Sequence, residues 1–85
     1  MQWYKLFLLS DFLDSGLVSR TYTYSFQGLG QKDVLATQGN LTAILFDDDI
    51  FIPLNFMDEN PTYRDGYAGA VDDDGYVWLG IPEES

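Results

Sequence analysis

Three consecutive aspartates occur twice in this sequence: Asp47, Asp48 and Asp49 within AILFDDDIFIPL, and Asp72, Asp73 and Asp74 within AGAVDDDGYVWL. Carboxylates grouped in this way can bind a hard cation, work in pairs as acid and base, or present charge to a partner. A helix-loop-helix calcium site needs oxygen ligands at the first, third, fifth and twelfth loop positions and glycine at the sixth. With Gly75 placed sixth, Asp72 and Asp74 fall third and fifth, but Ala70 stands first and Ile81 twelfth. The first triplet has no glycine in that place. No metal site is therefore expected. Asp47, Asp49, Asp72 and Asp74 are the residues that would supply one if the two turns met. Aspartate also gathers in turns because its side chain bonds nearby backbone N–H groups, and that is the reading preferred here.

Other chemistries are excluded more firmly. The chain has no histidine and no cysteine. It therefore lacks the commonest general base, thiolate ligands, disulfides, and Ser-His-Asp or Cys-His nucleophile systems. Paired carboxylates alone can cleave glycosides, but only in a cleft with a supporting shell, which so short a chain rarely builds. The sequence GLG at residues 28–30 lacks the remaining glycine of a dinucleotide fingerprint. No catalytic residue and no cofactor are expected, and the protein is read as a non-enzyme.

Two aromatic groups adjoin these features. Tyr22, Tyr24 and Phe26 alternate with Thr21, Thr23 and Ser25, and Tyr76 and Trp78 follow the second triplet. Aromatic rows can stack on single-stranded nucleic acid, but such platforms lie in basic grooves. The four basic residues, Lys5, Arg20, Lys32 and Arg64, are scattered against fourteen acidic ones, a formal net charge of −10. Affinity for phosphate backbones comes from lysine and arginine displacing counterions, so no direct nucleic acid binding is expected. A ring beside an aspartate can also hold a sugar, but that pairing is common in hairpins, and a small-molecule ligand is not expected.

The elements that position these residues read as strands. Residues 17–27 alternate with a period of two, Val18, Arg20, Tyr22, Tyr24 and Phe26 on one face and hydroxyls on the other, which predicts a half-buried antiparallel strand. VLAT at residues 34–37 reads as a short strand after a GLGQKD loop. Apolar runs flanking each aspartate triplet predict two hairpins, and Pro53, which has no N–H, places its strand at an edge or ends it. NFMDENPTYRDG, residues 55–66, reads as irregular, with turn signals at Asn60-Pro61 and Asp65-Gly66. The first ten residues fit a strand, with Trp3, Lys5, Phe7 and Leu9 opposite Tyr4, Leu6 and Leu8. A helix over residues 3–14 is the alternative. The expected fold is a small antiparallel β-barrel or sandwich of six or seven short strands, or, with that helix, an α+β domain.

The chain of 85 residues is read as one domain with a solvated tail at residues 82–85. Surface scaling buries roughly 64% of an extended chain of this size, a small core for two Trp, six Tyr and six Phe. Some rings are therefore expected outside, where they favour partners or self-association. The N-terminal apolar run is broken by Lys5, Ser10 and Asp11. No signal peptide and no membrane span are expected, and the protein is read as soluble, either cytoplasmic or within an assembled particle.

What remains is interaction. The leading expectation is a structural or assembly subunit of a larger complex, a viral or phage particle being one setting that suits so small a chain without Cys or His. It would bind a protein partner or its own copies through Tyr22, Tyr24, Phe26, Phe51, Phe56, Tyr76 and Trp78, with the aspartates at the hairpin tips. The alternative is an acidic inhibitor that mimics nucleic acid, which predicts both triplets on one continuous face. A third reading is a calcium-dependent or sugar-binding module.

Overall fold

A computed structural model describes residues 1–39, 42–54 and 61–83. Eight strands and one short helix follow in the order β1 (Gln2–Leu8), α1 (Leu9–Asp14), β2 (Ser19–Phe26), β3 (Gly30–Thr37), β4 (Ala43–Phe46), β5 (Ile50–Pro53), β6 (Thr62–Arg64), β7 (Tyr67–Val71) and β8 (Tyr76–Ile81). They form two four-stranded antiparallel sheets, β1-β8-β7-β6 and β2-β3-β4-β5. The chain is all-β, a two-sheet sandwich, and both expected hairpins are present as β4–β5 and β7–β8.

Three local expectations are corrected. The strand after the GLG loop is eight residues long and pairs with β2 from Gly30 to Thr37, because the tight turn at residues 27–29 starts the ladder at once. Residues 62–64, inside the stretch read as irregular, form β6 and pair with β7. The described residues therefore hold eight strands. The N-terminal segment is strand first and helix afterwards. It pairs with β8, slips register between Lys5 and Leu8, and buries both Leu6 and Phe7 at the slip. It then turns into α1, where Leu9 and Phe12 lie at helical spacing and are both buried. Ser15 closes the helix, with its backbone N–H donating to the Asp11 and Phe12 carbonyls and its hydroxyl donating to the Phe12 carbonyl at 2.6 Å.

Between the sheets lies a core whose largest fully buried side chains are Phe12, Phe46, Ile44, Ile52, Leu79, Val34 and Val77. Burying one such side chain contributes about 1.5–3 kcal/mol. Rings in mutual contact join the two sheets across the core. Tyr22 stacks on Phe7 at 4.3 Å, Phe26 meets Tyr4 edge-on at 4.8 Å, and Phe46 meets both Phe26 and Tyr67 at 5.4 Å. The sheets approach closely at Gly69. A Cβ there would lie 2.7 Å from Cγ2 of Ile52 and 3.2 Å from Cδ2 of Leu54, so β7 can cross β5 only without a side chain at that point. No helix among the described residues is long and apolar enough to cross a membrane.

Candidate interaction surface

The first aspartate triplet is a turn built on left-handed backbone. Asp47 and Asp48 have φ of 54° and 63°, a conformation that aspartate tolerates better than most residues, and the Asp49 N–H donates to the Phe46 carbonyl. Lys32 lies 3.6 Å from the Asp47 carboxylate, an exposed pair worth little in water.

The second triplet is organised by Asp72. Its Oδ1 accepts the backbone N–H of Asp74 at 3.0 Å and of Tyr76 at 2.8 Å, and its Oδ2 accepts the indole N–H of Trp78 at 2.8 Å. The Trp78 hydrogen bond, ahead of those from Tyr76 and Asp74 and the charge of Lys5, holds its carboxyl below the ordinary carboxylate range against the opposing effect of burial. Gly75, at φ 89°, makes the tight return that Asp72 spans. Its carbonyl accepts the Leu9 N–H, fixing this tip to the start of α1.

The two triplets do not meet. β4 delivers Phe46 against Tyr67, at the start of β7, whereas the second triplet follows the far end of β7 and abuts Leu8 and Leu9. Asp47, Asp48 and Asp49 therefore lie at one end of the sandwich, and Asp72, Asp73 and Asp74 at the other. No three carboxylates converge on a common point among the described residues.

The expected aromatic surface divides into three. Phe26 is only 2% exposed, and Tyr22 and Tyr24 are half-buried against the same core. These rings face the opposing sheet, because β2 presents its hydroxyl residues outwards. Phe51 is 48% exposed, on the outer face of the β2-β3-β4-β5 sheet. Tyr76 and Trp78 lie half-buried on the outer face of the other sheet, where Lys5 Nζ sits 4.0 Å above the Tyr76 ring. Phe56 lies outside the described residues.

The outer face of the β1-β8-β7-β6 sheet has two cross-strand rows. Trp3, Gly80, Ala68 and Tyr63 are aligned in one row, and Lys5, Trp78 and Ala70 in the next. Gly80 and Ala68 are buried beneath their neighbours, and the rings pack down over them. Trp3 and Met1 fold over Gly80, so closely that a Cβ there would lie 3.1 Å from the Trp3 ring and inside Met1. Trp3 is 38% exposed and Tyr63 62%. A groove of about 300 Å³ runs beside Trp78, lined by Ala70, Val71, Asp72 and Asp73. The chain matches no known protein family, no curated protein and no solved structure.

Acid–base work is poorly served here. Both Asp72 oxygens and the Trp78 N–H are already bonded to each other or to backbone. At the opposite end of the sandwich, a cavity of about 500 Å³ lies between Tyr4, Gln27, Tyr67 and Pro82, with Glu83 its one carboxylate among the described residues. Neither space holds two free carboxylates facing each other.

Trp3 and Tyr63 were not singled out by sequence. The alternation of Trp3 and Lys5 against Tyr4 and Leu6 carried the signal for Trp3. Tyr63 was hidden inside a three-residue strand bounded by turn residues.

Proposed function

We propose that this domain is a non-enzymatic protein-interaction module, a structural or assembly subunit that docks on a larger protein through the outer face of the β1-β8-β7-β6 sheet. The observation that carries this reading is the row of Trp3, Gly80, Ala68 and Tyr63 beside Trp78. Exposed rings anchored over buried small residues supply contact area, and tryptophan and tyrosine are enriched among the residues that dominate binding. Lys5 is the one charged residue in the two rows, and the acidic tips lie at the two ends of the sandwich, where they keep the strands soluble and turn away acidic partners.

The same placement argues against nucleic acid mimicry, which requires both triplets on one surface. Against a sugar site stands the commitment of Asp72 and Trp78 to each other. The test is capture from the source lysate by the tagged chain, with the masses of captured species measured. The reading requires a partner that wild type retains and that Tyr63→Ala and Trp3→Ala lose while remaining folded. Equal capture by these variants would falsify it.

A further inference from the structure

A two-sheet sandwich has four edge strands, and three of them here are unsuited to pairing. β6 is three residues long. β1 carries a register slip between Lys5 and Leu8. β5 pairs with β4 so that Leu54 N–H donates to the Thr42 carbonyl. The alternation that follows points Phe51 and Pro53 away from β4, and proline has no N–H to offer. Short strands, slips and prolines are the usual defences of sheet edges.

β2 has none of these. The Gln38 N–H donates to the Val18 carbonyl. In the register of β2 with β3, Val18, Arg20, Tyr22, Tyr24 and Phe26 therefore spend their backbone groups on β3. Ser19, Thr21, Thr23 and Ser25 point their N–H and C=O groups outwards. All four are exposed, and no proline or slip interrupts them. The adjoining Leu17 and Val18 are 48% and 72% exposed.

The charge along this edge favours one kind of occupant. Residues 15–32 contain no Asp or Glu, the longest such run in the chain, and hold Arg20 and Lys32, half of its basic residues. Two copies with a net charge of −10 each repel one another wherever their acidic ends meet, but not here. The nearest acid on this sheet is Asp33, one strand inward, whose carboxylate accepts the Thr23 hydroxyl at 3.0 Å. Across a shared seam, Asp33 of each copy would be about 14 Å from its counterpart, three strand spacings, beyond the screening length at physiological salt.

We propose that β2 pairs with β2 of a second copy, antiparallel about a two-fold axis at Tyr22, joining the two β2-β3-β4-β5 sheets into one continuous sheet. This register places Thr21 opposite Thr23 of the second copy and Ser19 opposite Ser25. These four facing pairs, two bonds each, form about eight backbone hydrogen bonds. Arg20, whose guanidinium rests 4.8 Å over the Tyr22 ring, falls opposite Tyr24 of the second copy, so no like charges face each other. Val18 falls opposite Phe26. The seam uses neither Trp3, Tyr63 nor Trp78 and so stands independently of the aromatic face.

The test is native mass spectrometry and sedimentation equilibrium of the purified chain, with disulfide trapping to fix the register. Wild type is expected at twice 9.7 kDa. Thr21→Pro removes an outward N–H, and Arg20→Glu removes the cation and adds an acid. Both are expected to shift the population to single chains while Tyr63→Ala leaves the pair intact. Because the chain has no cysteine, Thr21→Cys mixed with Thr23→Cys is expected to cross-link faster than either alone. This arm keeps the test decisive if Thr21→Pro fails to fold. A wild-type chain that stays single overturns the proposal and leaves a foreign strand as the occupant of the edge. A pair that survives Arg20→Glu with no preference in cross-linking overturns it equally.

Discussion

The indole N–H of Trp78 donates to Oδ2 of Asp72 at 2.8 Å, while the other oxygen of the same carboxylate holds the backbone of its own turn. One aspartate thus ties the tip of the β7–β8 hairpin to a ring on the outer face of the sheet. Asp73 and Asp74, its exposed neighbours, differ from it in role although not in type. Asp72→Asn puts an amide where a carboxylate accepts three donors, so at least one N–H must lose its partner. The expected outcome is a lower Tm and a Trp78 indole resonance shifted toward its solvent position. Asp73→Asn should leave both unchanged. Two-dimensional NMR of the two variants checks this.

The same contact sets a pH dependence. Asp72 is held below the ordinary carboxylate range, first by the Trp78 bond. As pH falls below that range, the unfolded chain takes up a proton at this residue before the folded one does. The stability due to the charged form is present above the unfolded value and is lost as pH falls through the folded one. Acid titration should therefore release the Trp78 indole resonance below the pH at which exposed aspartates titrate. A Trp78 resonance that moves together with those of exposed aspartates would count against the contact.

At alkaline pH the sign reverses. Burial, followed by the neighbouring Tyr22, pushes the Tyr24 phenol from 10.0 up to about 12, with Arg20 opposing. Between these values the fold keeps the proton that the unfolded chain has lost, so stability is intact below pH 10 and falls as pH rises toward 12. Urea unfolding across this window should show the decline in wild type, and Tyr24→Phe should flatten it.

Tyr22 offers a stabilising change. Its ring is packed on Phe7, while its hydroxyl is buried with no hydrogen-bond partner among the described residues. Tyr22→Phe removes the unpaired group and keeps the ring, and a gain of about 1 kcal/mol is expected. For a domain this small, that is a rise of roughly 4–8 °C in Tm, measurable by thermal unfolding. A fall in Tm would show that the hydroxyl is satisfied in solution.

Gly69→Ala should be costly. The added methyl would lie 2.7 Å from Cγ2 of Ile52 and 3.7 Å from its Cβ, a branch held at Cβ that cannot swing aside as a long side-chain end can. Overpacking of this kind costs about 1–3 kcal/mol, to be read from urea unfolding. Gly80→Ala meets the mobile end of Met1 before the Trp3 ring and should cost less.

Much of this architecture was legible locally. A period of two along residues 18–26 reports a strand with rings on one face, and apolar runs around an acidic turn report a hairpin, because the interactions that decide both are between near neighbours. Proline at position 53 foretold an edge for the same reason. Three things were settled only by tertiary packing. Alternation says that Tyr22, Tyr24 and Phe26 share a face, but that this face is the interior follows from Phe7, Tyr4 and Phe46 arriving from other strands. The switch from strand to helix at Leu9 follows from the burial of Leu9 and Phe12, against a local pattern that fits either form. The aspartate triplets, alike in sequence, became unlike in structure. Asp72 had Trp78 three residues past Gly75 on the returning strand, within reach of its carboxylate, while the first turn spent Asp47 and Asp48 on left-handed backbone. Spacing along the chain determines which groups can turn; only the folded sheets determine which groups they meet.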